Sequence, residues 1–325
     1  MGELYAYAVA RIRSKELGLL NKQALDQLLS SKTYEDCLRF LSEKGWGDSE
    51  NATAEEMLAG ERDKTWEIVN ELVKDQKDKE TFNVFLYAND FHNLKAAIKE
   101  AYTGKQVPNI FIETGTTVGV DVIKECVKNN DFLALPDYMR KCAEEAYEVQ
   151  FQTGDSQLCD IIIDKATLEA IYQKGKESKN DLISGYAELK CAAANINIAI
   201  RSCKTKKGKE FLERAFAKID TLNVDRLVES ALNSEDAIYD YLETTTYADA
   251  IDAIKESSSA FEKWCDDKIM NYIKPQKYKA FSYSPIAAYV LAKENEIKSV
   301  RIILSGKLND LPEEEVKERL REMYV

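Results

Sequence analysis

Two stretches of this chain carry the same residues in the same register, 202 positions apart. Tyr87, Asn93, Gly104 and Lys105 match Tyr289, Asn295, Gly306 and Lys307. At that offset Ile98-Lys99 also matches Val300-Arg301, and Leu20-Asn21 and Leu25 match Leu222-Asn223 and Leu227. A third copy lies halfway. Asn195, Ile196, Ile200 and Arg201 stand 102 residues after Asn93, Leu94, Ile98 and Lys99, and this copy too runs into a Gly-Lys pair, Gly208-Lys209. Helical sequences share Leu, Lys and Glu by chance, but four matches in one register plus a third aligned copy favour a true repeat. A unit repeated at about 100 residues constrains the fold strongly, because each copy must contribute the same element to one body. Three such units make a row, or a ring of approximate threefold symmetry whose equivalent helices line a central space. The expected units are 1–112, 113–217 and 218–325.

Ser284–Lys307 is the clearest copy. Ser284 is expected as an N-cap, Pro285 as the first helical residue and Gly306 as the stop. Ile286, Tyr289, Val290, Ile297, Val300 and Leu304 recur at helical spacing on one apolar face, leaving Glu294 and Lys298 to pair on the wet side. The remaining chain also reads as helix, rich in Ala, Leu, Glu and Lys with 13 Gly and 5 Pro among 325 residues. Helices are expected over Leu4–Ser14, Lys15–Ser30, Thr33–Lys44, Thr53–Lys79, Thr81–Tyr102, Gly115–Lys128, Pro136–Gln152, Asp155–Lys174, Asp181–Cys203, Lys209–Ile219, Val224–Leu232, Glu235–Glu243 and Tyr247–Ile273, with a tail helix from Pro312. No run of strands is visible, so the fold class is all-α.

The composition removes several functions. A net charge of −12 disfavours nonspecific binding to nucleic acid or anionic lipid. No run approaches the length of about 18 apolar residues that spans a bilayer, and no signal-peptide pattern opens the sequence. Seven scattered Cys without a C-x-x-C read as thiols of a reducing compartment. His92 is the only histidine, which rules out a two-His metal site and reads as a packing or surface residue. The Gly-Lys pairs follow helices, whereas a phosphate loop precedes one, so they read as helix stops. Asp266-Asp267 reads as a solvated helix face. Arg201, Lys204, Lys206, Lys207 and Lys209 form a basic cluster without interleaved aromatics, either a solvated turn or a docking patch for an acidic protein surface. No cofactor is expected.

Several motifs together resemble a known family. Tyr5-Ala6-Tyr7-Ala8-Val9-Ala10-Arg11-Ile12-Arg13 looks like the opening of the C subunit of bacterial and archaeal V-type (A-type) rotary ATPases, related to the d subunit of eukaryotic vacuolar ATPases. Asp90-Phe91-His92-Asn93-Leu94-Lys95 is similar to that family's first repeat motif, and Asn195 to Arg201 to the second. Lys293-Glu294-Asn295-Glu296-Ile297, leading to Arg301, is similar to the third. The second copy departs most, lacking an acidic residue immediately before Asn195.

The resemblance implies a funnel of three similar helical subdomains in pseudo-threefold arrangement. It implies a non-catalytic, peripheral rotor part on the cytoplasmic face of the membrane. That part receives the central stalk, sits on the proteolipid ring and transmits torque for ion transport and ATP synthesis or hydrolysis, with H⁺ or Na⁺ as coupling ion. Partner contacts are then expected from Tyr5, Arg11, Arg13, Asp90, Asn93, Lys99, Asn195, Arg201, Lys204, Glu294, Asn295, Glu296 and Arg301, with the basic ends of the repeated helices lining the stalk cavity. Two other readings compete: a helical-repeat scaffold for a different soluble partner, and a helical enzyme with an acidic site.

Overall fold

Side-chain caps decide where the helices of this chain begin. Asn21, Thr33, Thr53, Asp155, Asn180, Asn223, Ser234 and Ser257 each accept a backbone N–H from the first turn of the helix that follows. A computed structural model describes residues 5–47, 52–74, 78–279 and 281–325, and no strand occurs among the described residues. The chain runs through α1 (Ala6–Glu16), α2 (Lys22–Leu29), α3 (Tyr34–Glu43) and α4 (Ala54–Val73), then a 3-10 turn at Lys79–Phe85 and α5 (Tyr87–Thr103). Next come α6 (Val120–Asn129), α7 (Asp137–Thr153), α8 (Ser156–Glu177), α9 (Asp181–Lys204) and α10 (Lys209–Ala215). The last stretch holds α11 (Val224–Asn233), α12 (Glu235–Glu243), α13 (Ile251–Glu256), α14 (Ser258–Ile273), α15 (Ser284–Leu308) and α16 (Glu313–Glu318).

Two expected helices are broken by caps. Asn21 divides Lys15–Ser30 and Ser257 divides Tyr247–Ile273, because a side-chain acceptor competes with the helix for the next free amides. The expected Thr81–Tyr102 helix opens as the 3-10 turn instead. Leu4, expected to start the first helix, lies outside the described residues, as do residues 75–77 of the expected Thr53–Lys79 helix.

The helix stops also differ from expectation. Gly104 ends α5 in the left-handed conformation, at φ 64°. Gly208 instead caps the start of α10, and Gly306 lies inside α15. A Cβ on Gly306 would come within 2.4 Å of Val316 Cγ2, so the glycine serves the close approach of α16. The left-handed residues after α9 and α15 are Lys206, at φ 53°, and Asp310, at φ 51°. Ser284 is the first residue of α15 and Tyr283 its cap, so Pro285 falls one position later than expected.

The chain divides into two compact units, Met1–Lys79 with Asp252–Val325, and Glu80–Ile251. In the first, Ile297, Val300, Ile303 and Leu304 of α15 enter one core with Leu25 and Leu28 of α2, Leu41 of α3 and Met57 and Leu58 of α4. Each such aliphatic side chain contributes about 1.5–3 kcal/mol on burial. Eighteen of the 25 residues of α15 are buried, so this helix has almost no wet side. Glu294 and Lys298 accordingly pair outward, with Arg62 at 3.5 Å and Asp266 at 2.7 Å, and not with each other. In the second unit α8 packs between α7 and α9. A Cβ on Gly175 would stand 2.4 Å from that of Ala187, which shows how closely α8 and α9 approach. No disulfide joins the cysteines, and five of the seven are buried.

Candidate functional site

The repeated asparagines each donate to a backbone carbonyl further along the chain. Asn93 on α5 donates from Nδ2 to the Ile112 carbonyl and accepts the Ile112 N–H on Oδ1, both at 2.9 Å. Asn195 on α9 does the same with Ala217, at 2.8 and 3.1 Å. Asn295 on α15 donates to the Glu322 carbonyl at 2.8 Å. Each buried amide therefore clamps a peptide of the segment that runs back after its helix, 19, 22 and 27 residues on. The third clamp is half-made. The Glu322 N–H goes to Asp267 at 2.7 Å, and Asn295 Oδ1 has no partner among the described residues.

A carboxylate on each of the same three helices holds a second peptide. Asp90 accepts from Thr117 N–H at 2.8 Å, Thr117 Oγ1–H at 2.6 Å, Val118 N–H at 3.2 Å and Tyr138 O–H at 3.1 Å. Glu188 accepts from Thr221 N–H at 2.9 Å and Thr221 Oγ1–H at 2.6 Å. Tyr138 and Tyr247 take the same place on the two threonine hydroxyls, at 2.6 and 2.7 Å. Glu296 accepts the Leu20 N–H at 2.5 Å. Val118, Leu222 and Leu20 precede Gly119, Asn223 and Asn21, the caps of α6, α11 and α2. The pattern is thus cyclic. The first helix holds the chain entering the second copy, the second holds the chain entering the third, and the third holds the chain entering the first. Around Asn93 the grip extends further, because Asn89 donates to Gly115 O at 2.7 Å and His92 Nε2–H to Ile110 O at 2.8 Å.

The third copy adds charge. Lys293, 7% exposed, lies 2.6 Å from Glu61 and 2.7 Å from Glu296, with the Trp46 ring 5.1 Å away. Burial alone would lower the Lys293 ammonium, but Glu296 and Glu61 outweigh it and hold its pKa above the ordinary value. Burial raises the Glu296 carboxyl, opposed by Lys293. It also raises Asp90, opposed by bonds from neutral donors. Asp266 and Asp267 are not a solvated face. Asp266 pairs with Lys298 at 2.7 Å and Arg321 at 3.0 Å, and with Asp267 it fastens the C-terminal tail.

The expected partner residues thus divide. Asp90, Asn93, Asn195, Asn295 and Glu296 are buried and bonded within the chain. Tyr5 is buried, donating to Asp78 at 2.7 Å, and burial raises its hydroxyl pKa. Arg13 binds Glu16 at 2.6 Å and the Gln276 carbonyl at 2.8 Å. Lys99 pairs with Asp160 at 2.8 Å and Arg301 with Glu55 at 3.0 Å. Lys204 reaches Glu235 only at 3.6 Å. Arg11 and Arg201 are exposed, with no side-chain partner among the described residues.

A cleft of about 570 Å³ between α7, α8 and α10 is bordered by Tyr138, Lys141, Cys142, Lys165 and Arg214. Burial pushes the Cys142 thiol up to about 12, which keeps it protonated and a poor nucleophile at neutral pH. Among the described residues no cluster of His, Cys, Asp and Glu is placed to hold a metal ion.

This geometry defines a class, an all-helical repeat protein whose repeated polar residues bind its own backbone in cyclic order. The chain belongs to the ATP synthase (C/AC39) subunit family, whose sequence model matches residues 8–319. It is 23% identical to the C subunit of the V-type sodium ATPase of Enterococcus hirae, over 96% of this chain and 97% of that protein. The C subunit of the A-type ATP synthase of Methanocaldococcus jannaschii is 24% identical, over 97% of this chain and 86% of that protein. That of Halobacterium salinarum is 23% identical, over 97% of each. No helix among the described residues is long and apolar enough to cross a membrane.

Proposed function

We propose that this chain is a non-catalytic rotor subunit of a V/A-type rotary ATPase. It links the central stalk to the membrane proteolipid ring on the cytoplasmic side and passes torque between them. The observation that carries this reading is the cyclic order of the peptide clamps, with Glu296 returning to Leu20. A part that transmits torque must resist shear between its segments. Backbone peptides fixed to rigid helices supply that resistance, because moving a clamped segment strands the buried asparagine side chains without partners at about 1–3 kcal/mol each. Cyclic clamping supports a closed, three-part funnel with units 1–112, 113–217 and 218–325. Ile112 and Ala217, the clamped peptides, fall at the first two of these boundaries. Among the expected contact residues, Arg11, Arg201 and Lys204 are the ones that remain available to stalk or ring proteins. Co-purification of the full chain with the stalk proteins and with the proteolipid ring tests the reading. Retention of both is expected, and failure to retain either, with both partners folded, overturns it.

A further inference from the structure

The three basic residues six positions after the clamp asparagines are not equivalent. Lys99 and Arg301 are each neutralised by a carboxylate of this chain, at 2.8 and 3.0 Å. Arg201 has no such partner among the described residues, and it opens a run, Arg201–Lys209, with five basic residues and no acidic one. Around it the ion pairs are loose. Lys204 lies 3.6 Å from Glu235 and Lys209 3.6 Å from Glu213, and Lys207 donates to the neutral Gln157 at 3.0 Å. The turn itself is fixed. Lys207 N–H returns to Ser202 O at 3.0 Å and Lys206 N–H to Cys203 O at 3.2 Å, closing the end of α9. This closure puts Lys206 in the left-handed region at φ 53°, where a side chain costs about 1–2 kcal/mol and glycine is the usual occupant. The first copy has Gly104 in the corresponding turn. The second copy therefore carries an exposed lysine where the backbone disfavours one, near an arginine with no carboxylate partner among the described residues, in a chain of net charge −12.

We propose that this corner of α9, and not its counterparts at Lys99 and Arg301, is the docking point for an acidic segment of a partner protein. The charge pattern selects that kind of partner. A membrane surface or a nucleic-acid duplex extends beyond one corner and would meet the acidic remainder of the chain, whereas a short acidic segment need touch only the corner. The corner also has little to stack a base on, because Lys207 already covers Phe211 at 5.0 Å. The partner's membership of the rotary complex rests on the function proposed above; its acidic chemistry does not. A partner held at one of three related corners would be fixed in a single rotational setting.

The test compares full-chain Arg201→Glu/Lys206→Glu with Lys99→Gln/Arg301→Gln. Binding to the purified stalk proteins, and separately to a glutamate-rich peptide, is measured from low to high salt. The first variant is expected to lose about tenfold in affinity for both probes at low salt, with the difference closing as salt rises. The second variant is expected to bind as wild type. Equal affinity of wild type and Arg201→Glu/Lys206→Glu for the peptide overturns the proposal, as does an undiminished loss at high salt. Failure of wild type to bind the stalk proteins while the peptide results hold removes the rotor reading and leaves the corner standing. Preference of the corner for anionic vesicles or duplex RNA over the peptide overturns the choice of partner. Circular dichroism of both variants confirms that the helices persist.

Discussion

The clamp on α5 and the clamp on α15 perform one task with different chemistry. On α5 a lone carboxylate, Asp90, is surrounded by neutral donors from Thr117, Val118 and Tyr138, and the held loop follows directly in the chain. On α15 the carboxylate belongs to a buried Glu61–Lys293–Glu296 group, and the held peptide at Leu20 lies 276 residues away. Where the chain is continuous, hydrogen bonds between neighbours suffice. Where two chain ends must find each other, charge supplements them. A buried ion group adds little net stability but strongly disfavours partial assembly, because any missing member leaves an uncompensated charge.

The largest expected effect breaks that contrast directly. Lys293→Met leaves Glu296 buried without a cation and Glu61 with only the partly exposed Lys64 at 3.4 Å, and should cost about 3–5 kcal/mol in urea unfolding. In hydrogen exchange the loss should concentrate in α2–α4 and α15. Equal loss of protection in α7–α9 would show that the triad is not specific to the seam between the chain ends.

Removing the asparagines sharpens it further. Asn195→Ala leaves a buried N–H and C=O unpaired and Asn93→Ala a part-buried pair, and each should cost about 2–4 kcal/mol, against about 1–2 for Asn295→Ala. Three equal midpoints would mean that the half-made third clamp is as strong as the other two. Glycine substitutions follow. Gly306→Ala meets Val316 at 2.4 Å and should destabilise by about 1–3 kcal/mol despite better helix propensity. Gly60→Ala meets nothing within 4 Å and should stabilise by about 0.5–1 kcal/mol. Thermal midpoints moving in the same direction would contradict the packing of α16.

The smallest effect concerns pH. Burial raises the Asp90 carboxyl above its ordinary value, so folding favours its protonated form. That stabilising contribution is complete below the ordinary Asp range and is lost as pH rises through the raised value. Wild type should therefore lose stability across the interval above about pH 4 relative to Asp90→Asn, whose profile should be flatter. Parallel urea-midpoint profiles would show that Asp90 does not titrate there.

The repeat was legible because Asn93, Asn195 and Asn295 sit at one place on three helices, and in the first two the amide supplies a donor and an acceptor to one peptide. What they hold was not legible. The held groups at Ile112, Ala217 and Glu322 are backbone, and a backbone amide leaves no mark in the sequence. Glu188 escaped notice because the second carboxylate lies seven residues before its asparagine, whereas Asp90 lies three before, which interrupts the motif while the bond is kept. Glu61 sits in a highly charged helix that resembles a solvated face, and only the approach of Lys293 distinguishes it. Gly306 was misread because Gly-Lys after a helical run resembles a stop, while its actual constraint, Val316, lies on another helix. The all-α class needed none of these details, since composition and helical spacing already required it.

The place of α15 in the core with α2, α3 and α4 has a consequence for biosynthesis. When the N-terminal helices leave the ribosome, the segment that covers their apolar faces has not yet been translated, and at about 5–20 residues per second the delay exceeds ten seconds. Glu80–Ile251 can collapse during that interval from sequence already at hand. The opening helices wait with Leu25, Leu28, Met57 and Leu58 uncovered, which marks them as the natural client surface for a chaperone until the last helix arrives.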